Sequence, residues 1–351
     1  MKAIWYTKDS AYEYCILAGD IGGTNTNLAI VGKSQAGLSI ILECVFDSHS
    51  QTSLSNPVRE TLKEAGEALR PAKCCISAAG PVKDNFCQLT NQSWNIDGNE
   101  LQKEFGFPVL VINDFLGLSY GIPLLDTENP SSITKLPSAN GGFPQKQGDT
   151  CCIVGAGTGL GVGCVTKTNN AFFAIPTEGG HIDFSPFDDE TFELVQYLYK
   201  KNGNYPDAES LVSGQGLNNI FDFYADSKFG KPDDLVMEIL QTERKDRPPL
   251  ISAGSGKSKQ LLSVMKLFIK CYGKTASNLT LAYLATGGVF LAGGIATKNE
   301  DLFIDDSLFV SNFIKNMRPN FGRLLSSIPV YIVRDYNTSL LGAANAADIL
   351  L

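Results

Sequence analysis

The strongest constraint on the fold of this chain is a pair of glycines between two apolar segments. Residues 15–18 are apolar and predict a buried strand, and residues 28–31 predict a second one. Gly22 and Gly23 lie between these strands, so the chain is expected to turn back in a tight hairpin. We expect the glycines of this turn to adopt positive φ and to let backbone N–H groups approach a ligand closely.

Polar residues on both sides of the glycine pair give the turn its chemical character. Asp20 comes at the end of the first strand, and Thr24 and Asn25 add side-chain donors directly after the glycines. A concentration of donors in a tight turn suits a phosphate group, and a neighbouring carboxylate suits the magnesium ion that accompanies phosphate. Glycine pairs also occur in ordinary hairpins, so the turn alone leaves both interpretations open.

A second strand–turn–strand pattern favours the ligand-binding interpretation. Residues 150–154 and 162–165 predict two strands, which the glycine-rich residues 155–161 connect. This run does not match G-x-G-x-x-G in any frame, and a strand follows it, which argues against a dinucleotide site of the Rossmann type. Residues 254–258 (GSGKS) resemble the end of a P-loop. However, Ile251 stands where the first P-loop glycine belongs, so we predict only a polar turn before a helix.

Length, charge and cysteine content narrow the class of protein. With 351 residues the chain is too long for one core, so two domains are expected. The net charge of -8 argues against a nucleic-acid surface and suits a protein that acts on small molecules. No apolar stretch reaches about 18 residues and residues 1–13 do not resemble a secretory signal, so we expect a cytoplasmic protein without a membrane span. The nine cysteines form no C-x-x-C pattern, which favours buried reduced thiols over a zinc site or a disulfide framework.

Hydrophobic periodicity and capping signals predict an α/β fold. The predicted helices cover residues 55–70, 97–106, 190–201, 216–224, 257–284 and 339–350. Further strands are predicted at residues 38–46, 73–79, 108–112, 288–292 and 329–333. Residues 127–148 are polar and predict a surface loop or an irregular hairpin. Three consecutive strands followed by alternating helices and strands fit mixed sheets flanked by helices.

Side chains that can perform chemistry occur at three further places. Asn113 and Asp114 directly follow an apolar strand, at the end where ligands of α/β sheets bind. Glu178 and His181 are separated by two glycines, which favours a loop that presents both to one ligand. Glu209 lies near a predicted helix–helix junction. Each also has a simpler explanation, namely a helix cap, a structural histidine and a solvated glutamate.

Eight segments occur in an order that is typical of one family. They are residues 19–25 (GDIGGTN), 89–91 (LTN) with Trp94, 112–115 (INDF), 155–161 (GAGTGLG), 178–184 (EGGHIDF), Glu209 with 213–217 (SGQGL), 291–295 (LAGGI) and 340–344 (LLGAA). Through these segments the chain resembles, over nearly its whole length, the bacterial-type glucokinases of the hexokinase–actin–Hsp70 superfamily. It departs from them in the extension before the first strand and in Ala156, where bacterial forms often carry proline.

The resemblance implies a fold, an activity and a setting. The implied fold is α/β, a two-domain actin-like ATPase/hexokinase fold with mixed sheets flanked by helices and an interdomain cleft. The smaller domain would comprise residues 1–123 plus 334–351, and the larger one residues 124–333. The implied reaction transfers the γ-phosphoryl group of ATP to the 6-hydroxyl of D-glucose, giving glucose 6-phosphate and ADP in the first step of glycolysis. The resemblance also implies a cytoplasmic homodimer. The glycine turns by themselves do not discriminate between ATP, ADP and pyrophosphate.

Site roles follow from the resemblance position by position. Asp114 matches the catalytic base that faces the sugar 6-hydroxyl. The positions that match sugar-binding residues are Asn91, Asn113, Asp114, Glu178, His181 and Glu209. The positions that match the phosphate turns and the adenosine side are Asp20, Gly22, Gly23, Thr24, Asn25, Gly157, Thr158, Gly159, Gly293 and Gly294. Asp20 also matches the aspartate on the magnesium side, which contacts Mg²⁺ through water. We expect the pKa of His181 to be raised if it lies among Glu178, Glu209 and Asp114.

Three other classes of protein share parts of this pattern. Kinases for mannose, fructose or N-acetyl sugars usually carry a cysteine zinc motif after the Glu-x-Gly-His segment, and this chain has none. Non-catalytic sugar sensors carry an amino-terminal helix-turn-helix, for which residues 1–14 are too short, and the acidic charge disfavours DNA. An actin-like filament or chaperone ATPase would not need the sugar-binding residues.

Overall fold

A computed structural model describes residues 1–7, 11–90, 92–169 and 171–351. The chain divides into two compact units. The first comprises Met1–Asp126, Lys167–Ile175 and Asp335–Leu351, and the second comprises Thr127–Thr166 and Pro176–Arg334. Residues 167–175 belong to the first unit but were not part of the smaller domain that the resemblance implied. Nothing in their local sequence pattern relates them to the amino-terminal segment.

Strands dominate the first 126 residues. They are β1 (Lys2–Trp5), β2 (Tyr14–Ile21), β3 (Asn25–Ser34), β4 (Gly37–Asp47), β5 (Pro71–Ala78), β6 (Val82–Lys83), β7 (Phe86–Gln88), β8 (Asn95–Asp97) and β9 (Val109–Asn113). The helices are α1 (Ser55–Ala65), α2 (Gly98–Phe105) and α3 (Asp114–Gly121). Helix α2 begins where the capping signal predicts, because the Asp97 carboxylate accepts hydrogen bonds from the N–H groups of Asn99 and Glu100.

Helices dominate the remainder of the chain. The strands are β10 (Ile133–Leu136), β11 (Cys151–Ala156), β12 (Leu160–Thr168), β13 (Ala171–Ile175), β14 (Gly288–Ala292) and β15 (Val330–Val333). The helices are α4 (Asp189–Asn202), α5 (Gly214–Ser227), α6 (Asp234–Gln241), α7 (Arg247–Gly254), α8 (Lys259–Tyr283), α9 (Gly294–Lys298), α10 (Glu300–Ile304), α11 (Leu308–Ile314), α12 (Pro319–Ser326) and α13 (Thr338–Leu350).

The main sheet of the first unit has the strand order β1-β4-β3-β2-β5-β9. Strands β2, β5 and β9 are parallel, so their carboxyl ends lie at the same edge. Helix α13 covers one face of this sheet, where Ala343, Ala344 and Ala347 are fully buried among the side chains of Ile16 and Ala18. These small residues let the helix backbone approach the strands closely.

The sheet of the second unit contains the order β10-β15-β14-β11-β12. Strands β11 and β14 are parallel neighbours, with Gly155 opposite Ala292, so the glycine segments after them begin at the same edge. The long helix α8 packs on this sheet through a large aromatic core, and the buried Tyr272 hydroxyl donates to the carbonyl of Val154 at 2.6 Å. The core of this unit therefore supports the glycine segments after β11 and β14 from one side of the sheet.

The predicted mixed α/β fold and both strand–turn–strand units are confirmed. The structure adds elements that local patterns did not predict. They are strands β1, β6 to β8, β10 and β13, and helices α3, α6, α7 and α9 to α12. Strand β1 forms only because it pairs with β4, and β10 only because it pairs with β15. All nine cysteines are buried free thiols, as predicted. Within the described ranges, no helix is both long and apolar enough to cross a membrane.

Candidate active site

The first glycine turn spans residues 22–24 between β2 and β3. It is closed by a hydrogen bond from the N–H of Gly22 to the carbonyl of Asn25 at 2.9 Å. Neither Gly22 nor Gly23 has a positive φ, so our expectation of left-handed glycines is wrong. A Cβ at Gly22 would meet only the carbonyl oxygen of Asn25, at 3.5 Å, so the outer side of the turn is open.

Side chains behind this turn hold it in place. Ser48 is fully buried, its hydroxyl donates to the carbonyl of Gly22 at 2.9 Å, and its N–H donates to the carbonyl of Thr24 at 2.9 Å. The amide of Gln92 donates to the carbonyl of Gly23 at 2.5 Å. The carbonyls of the turn are therefore bound from the protein side. Ser48 and Gln92 carry no local sequence signal for this role, and our sequence analysis missed them.

Asp20 and Asp114 lie at the shared carboxyl edge of the first sheet. Asp20 is opposite Ser77 on β5, and the next residue of β5, Ala78, is opposite Asn113 on β9. Burial and the charge of Asp114 raise the pKa of Asp20 to about 7. Because the negative charges of the two carboxylates repel each other, a cation bound beside them would be stabilised. This chemistry fits Mg²⁺, which binds proteins through one or two carboxylates together with phosphate oxygens and water.

Asn113 and Asp114 form the junction of β9 and α3. The side-chain oxygen of Asn113 accepts a hydrogen bond from the N–H of Phe115 at 2.9 Å, and its amide donates to the carbonyl of Gly80 at 3.3 Å. Asn113 is therefore a helix cap, in agreement with the simpler explanation of this motif. Asp114 is the first residue of α3, where the helix dipole stabilises a carboxylate. Asn91, a predicted sugar ligand, lies outside the described residues.

The second unit brings a histidine and three carboxylates together. His181 ends a single 3₁₀ turn that follows Glu178, and its Nδ1 lies 2.9 Å from an Asp207 carboxylate oxygen. The N–H of Glu209 donates to the carbonyl of Gly180 at 2.9 Å. The hydrogen bond with Asp207, followed by the charges of Glu209 and Glu178, raises the pKa of His181 above its ordinary value. The predicted direction is confirmed, but the leading cause, Asp207, was not predicted.

Glu209 also connects this cluster to the second glycine turn. Its Oε2 accepts a hydrogen bond from the N–H of Leu160 at 2.8 Å. A Cβ at Gly159 would lie 2.5 Å from the same oxygen, so glycine is needed there for the carboxylate to approach. Gly157 differs, since a Cβ at that position would have no heavy atom within 4 Å. The two glycines of one turn therefore serve different purposes.

A large cavity opens beside the second glycine turn within the second unit. Its volume is about 1160 Å³, slightly above the usual range for small-molecule sites. Of the predicted nucleotide residues, Gly157, Thr158 and Gly294 line it. The lining also includes residues that the sequence motifs do not assign to a nucleotide, among them Gly214, Gln215, Asn218, Lys245, Pro248, Ser252, Gly256, Lys298 and Asp301. They come from three separate segments. Gly214 and Gln215 belong to the SGQGL motif and Gly256 to the GSGKS segment, but no local motif marks the others.

Charges at this cavity suit an anionic ligand. Helix α5 begins at Gly214, so the positive end of its dipole is at the cavity wall. Lys245 and Lys298 add cationic side chains to the lining. Gly256 belongs to the GSGKS segment, which is a turn between α7 and α8 with Ser258 as the cap of α8, as predicted.

Backbone geometry explains why residue 293 is a glycine. It has φ 90°, and a Cβ there would lie 2.4 Å from the carbonyl oxygen of Ala156. Only glycine allows β14 to end this close to β11. Gly293 therefore shapes the cavity edge but is not among the residues that line it, whereas its neighbour Gly294 is.

The fold and these sites define the chain as a two-domain sugar kinase of the hexokinase–actin–Hsp70 type. A family model described as Glucokinase matches residues 17–349. A glucokinase of Nostoc punctiforme is 37% identical over 348 residues, covering 95% of this chain and 98% of that protein. The chain belongs to the glucokinase family.

Solved structures agree with this assignment. A glucokinase from an Antarctic psychrotroph has a TM-score of 0.80 and 27% identity, with 95% of this chain and 99% of that chain covered. A ROK family glucokinase from Streptomyces griseus, solved with glucose and AMPPNP, has a TM-score of 0.60 at 18% identity, with 95% and 99% covered. The second likeness supports the fold alone. The family that the sequence motifs predict is thereby confirmed.

Proposed function

We propose that this protein transfers the γ-phosphoryl group of ATP to the 6-hydroxyl of D-glucose. Membership of the glucokinase family supports the reaction and the sugar. The structural observation that carries the proposal is the position of Asp114 beside Asp20 at one sheet edge. Phosphoryl transfer needs a group that orients the hydroxyl next to a charge-neutralised phosphate, and these two carboxylates can divide that work.

Asp114 acts on the sugar hydroxyl in this proposal. A carboxylate with an ordinary pKa of about 3.9 is a weak base towards an alcohol. Asp114 therefore first orients the 6-hydroxyl and accepts its proton late, as the bond to phosphorus forms. Asp114 is the first residue of α3, where the positive end of the helix dipole favours a negative charge.

Glu178, His181 and Glu209 bind the other sugar hydroxyls in this proposal. A sugar is an uncharged ring of donors and acceptors, and carboxylates and an imidazole can form charge-assisted hydrogen bonds with it. A sugar that lacks one hydroxyl would leave a carboxylate without its partner, which is a strong basis for rejection. The clustering of these three residues around one short segment supports their joint role.

The nucleotide binds along the cavity of the second unit in this proposal. The volume of the cavity, its lysines and the start of α5 support an anionic ligand of nucleotide size. The turns at Gly22 to Asn25 and at Gly157 to Gly159 contact phosphate oxygens. Asp20 holds Mg²⁺, which supplies charge neutralisation when bound.

We propose the cytoplasm as the cellular setting. Nine buried free thiols are typical of a protein in a reducing compartment, which supports this location. The proposed reaction would be the first step of glycolysis. The homodimer implied by the family resemblance stays a prediction, and sedimentation velocity of the purified chain would test it.

An activity matrix of sugars against donors tests the proposed function. Glucose, mannose, fructose and N-acetylglucosamine are each combined with ATP, ADP and pyrophosphate in the presence of Mg²⁺. We expect the highest kcat/KM for glucose with ATP. A preference for another hexose would replace glucose as the substrate, and glucose binding without turnover in any combination would indicate a sugar sensor.

A further inference from the structure

Asp207 makes the hydrogen bond that fixes His181, although neither the family motifs nor its local sequence single it out. One carboxylate oxygen lies 2.9 Å from His181 Nδ1. The other accepts hydrogen bonds from the N–H of Ser210 at 2.9 Å and from its hydroxyl at 2.5 Å. Both oxygens are therefore engaged, so the carboxylate has little freedom to rotate.

The backbone on both sides of this contact is also tied together. Asp183 and Asp207 form an antiparallel bridge, and the N–H of Ala208 donates to the carbonyl of Ile182 at 2.8 Å. The segment that carries Asp207 thus pairs with the residues directly after His181. The relative position of the two side chains is set by backbone hydrogen bonds and does not depend on side-chain packing alone.

The contact determines which ring nitrogen carries a proton. An ionised carboxylate can only accept, so His181 Nδ1 must be the donor. In the neutral ring the opposite nitrogen, Nε2, would be an acceptor, and in the charged ring it would be a donor. The titratable groups that face His181 are Asp207, Glu209 and Glu178, all acidic, and they favour the charged ring.

We propose that Asp207 is a positioning residue for the sugar, which holds His181 so that its Nε2 donates a hydrogen bond to a sugar oxygen. This inference rests on the proposed function, because it takes the ligand of His181 to be the sugar. Glu178 and Glu209 can only accept when ionised. His181 is then the donor among these side chains. A sugar hydroxyl between His181 and one of the glutamates can accept a hydrogen bond from the imidazole and donate one to the carboxylate.

The side chain of His181 is 56% exposed, so solvent screens the effect of Asp207. We therefore expect a modest change of affinity from loss of the carboxylate. The protonated ring is present below its raised pKa and is lost as the pH rises through that pKa, so the affinity for sugar should fall in the same range.

The composition of the chain permits a direct test by proton NMR. His181 is one of only two histidines, and the other, His49, is in the first unit and serves as an internal reference. In Asp207→Asn we expect the pKa of His181 to fall by about half to one unit, with His49 unchanged. Ser210→Ala is the matched variant, because it alters the same hydrogen-bond cluster but retains the carboxylate. It should shift His181 by less than half as much.

Kinetics and binding complete the test. At pH 7.5 we expect Asp207→Asn to raise the KM for glucose about threefold and at most tenfold, with kcat within about twofold of wild type, because a pKa lowered by half to one unit reduces the protonated fraction of His181 by no more than that. An unchanged His181 pKa, or an unchanged KM with the pKa lowered, would overturn the proposal. If Asp207→Asn does not fold, the proposal is tested by measuring glucose binding to the wild-type protein across pH 6 to 9. Affinity independent of the His181 titration would refute the role.

Failure of the proposed function would give a different result from failure of the inference about Asp207. If wild type does not phosphorylate glucose, the kinase assignment fails. Glucose added to wild type in the NMR experiment then decides the inference alone, since a shift of the His181 signal without a shift of His49 supports it and no shift overturns it.

Discussion

The carboxylate of Glu209 accepts a hydrogen bond from the backbone N–H of Leu160 at 2.8 Å. This contact places a proposed sugar ligand against the end of the second glycine turn. The Cα of Gly159 faces the same carboxylate, where a Cβ would come within 2.5 Å. One local contact therefore connects the proposed sugar-binding residues to the proposed phosphate turn.

Alanine at Gly159 should disturb the sugar cluster. The added methyl group must displace the Glu209 carboxylate, because the facing atom is held by Leu160. We expect Gly159→Ala to raise the KM for glucose at least tenfold, in line with the loss of a hydrogen bond to a charged group. Steady-state kinetics with glucose varied at saturating ATP measure this.

Gly157→Ala is the matched control from the same turn. A methyl group there meets no protein atom and φ is not positive, so the melting temperature should be unchanged. Its effect should appear in the KM for ATP and not in the KM for glucose. Equal effects of the two variants on glucose would show that the Glu209 contact does not matter.

Asp114→Asn should separate binding from turnover. Asparagine retains an oxygen that can accept the hydrogen bond from Phe115, so the start of α3 should survive. Loss of the proton acceptor should lower kcat by about 10² to 10⁴, with the glucose KM within about threefold of wild type. Turnover close to that of wild type would remove Asp114 from the mechanism.

Asp20→Asn should stabilise the protein while abolishing efficient turnover. A carboxyl whose folded pKa is raised to about 7 destabilises the fold increasingly as the pH rises from its unfolded pKa towards 7. At pH 8, without nucleotide or divalent cations, the variant should therefore melt several degrees above wild type, for a gain of up to about 4 kcal/mol. The difference in melting temperature between the variant and wild type should be smaller at pH 5. A difference of the same size at both pH values would show that burial and the charge of Asp114 do not raise the pKa of Asp20.

Ser48→Ala should loosen the first glycine turn from behind. The buried hydroxyl donates to the carbonyl of Gly22, so its removal leaves that carbonyl without this donor at a cost of about 1–3 kcal/mol. We expect a lower melting temperature and a higher KM for ATP. Ser50→Ala, at an exposed position two residues later, should change neither. Equal ATP affinity in the two variants would show that Ser48 does not shape the phosphate turn.

Much of the local structure follows from signals within a few residues. The apolar runs around Gly22 specify a hairpin, Asp97 specifies the start of α2, and Ser258 caps α8. The sequence motifs also identified Glu178, His181 and Glu209 of the carboxylate–histidine cluster. Along the cavity, they identified only Gly157, Thr158 and Gly294. Such signals are readable because a turn or a cap satisfies its backbone groups with neighbouring residues.

The remaining features depend on partners that are distant along the chain. Strand β1 needs β4, and the carbonyl of Gly22 in the first turn is bound by Ser48, 26 residues away. Asp207 reaches His181 from 26 residues away. The sequence by itself thus determined the family, the strand order of the hairpins and the chemical groups of the site. The tertiary structure decided which carboxylate holds the histidine and which segments close the cavity, because those contacts arise only when separate segments pack together.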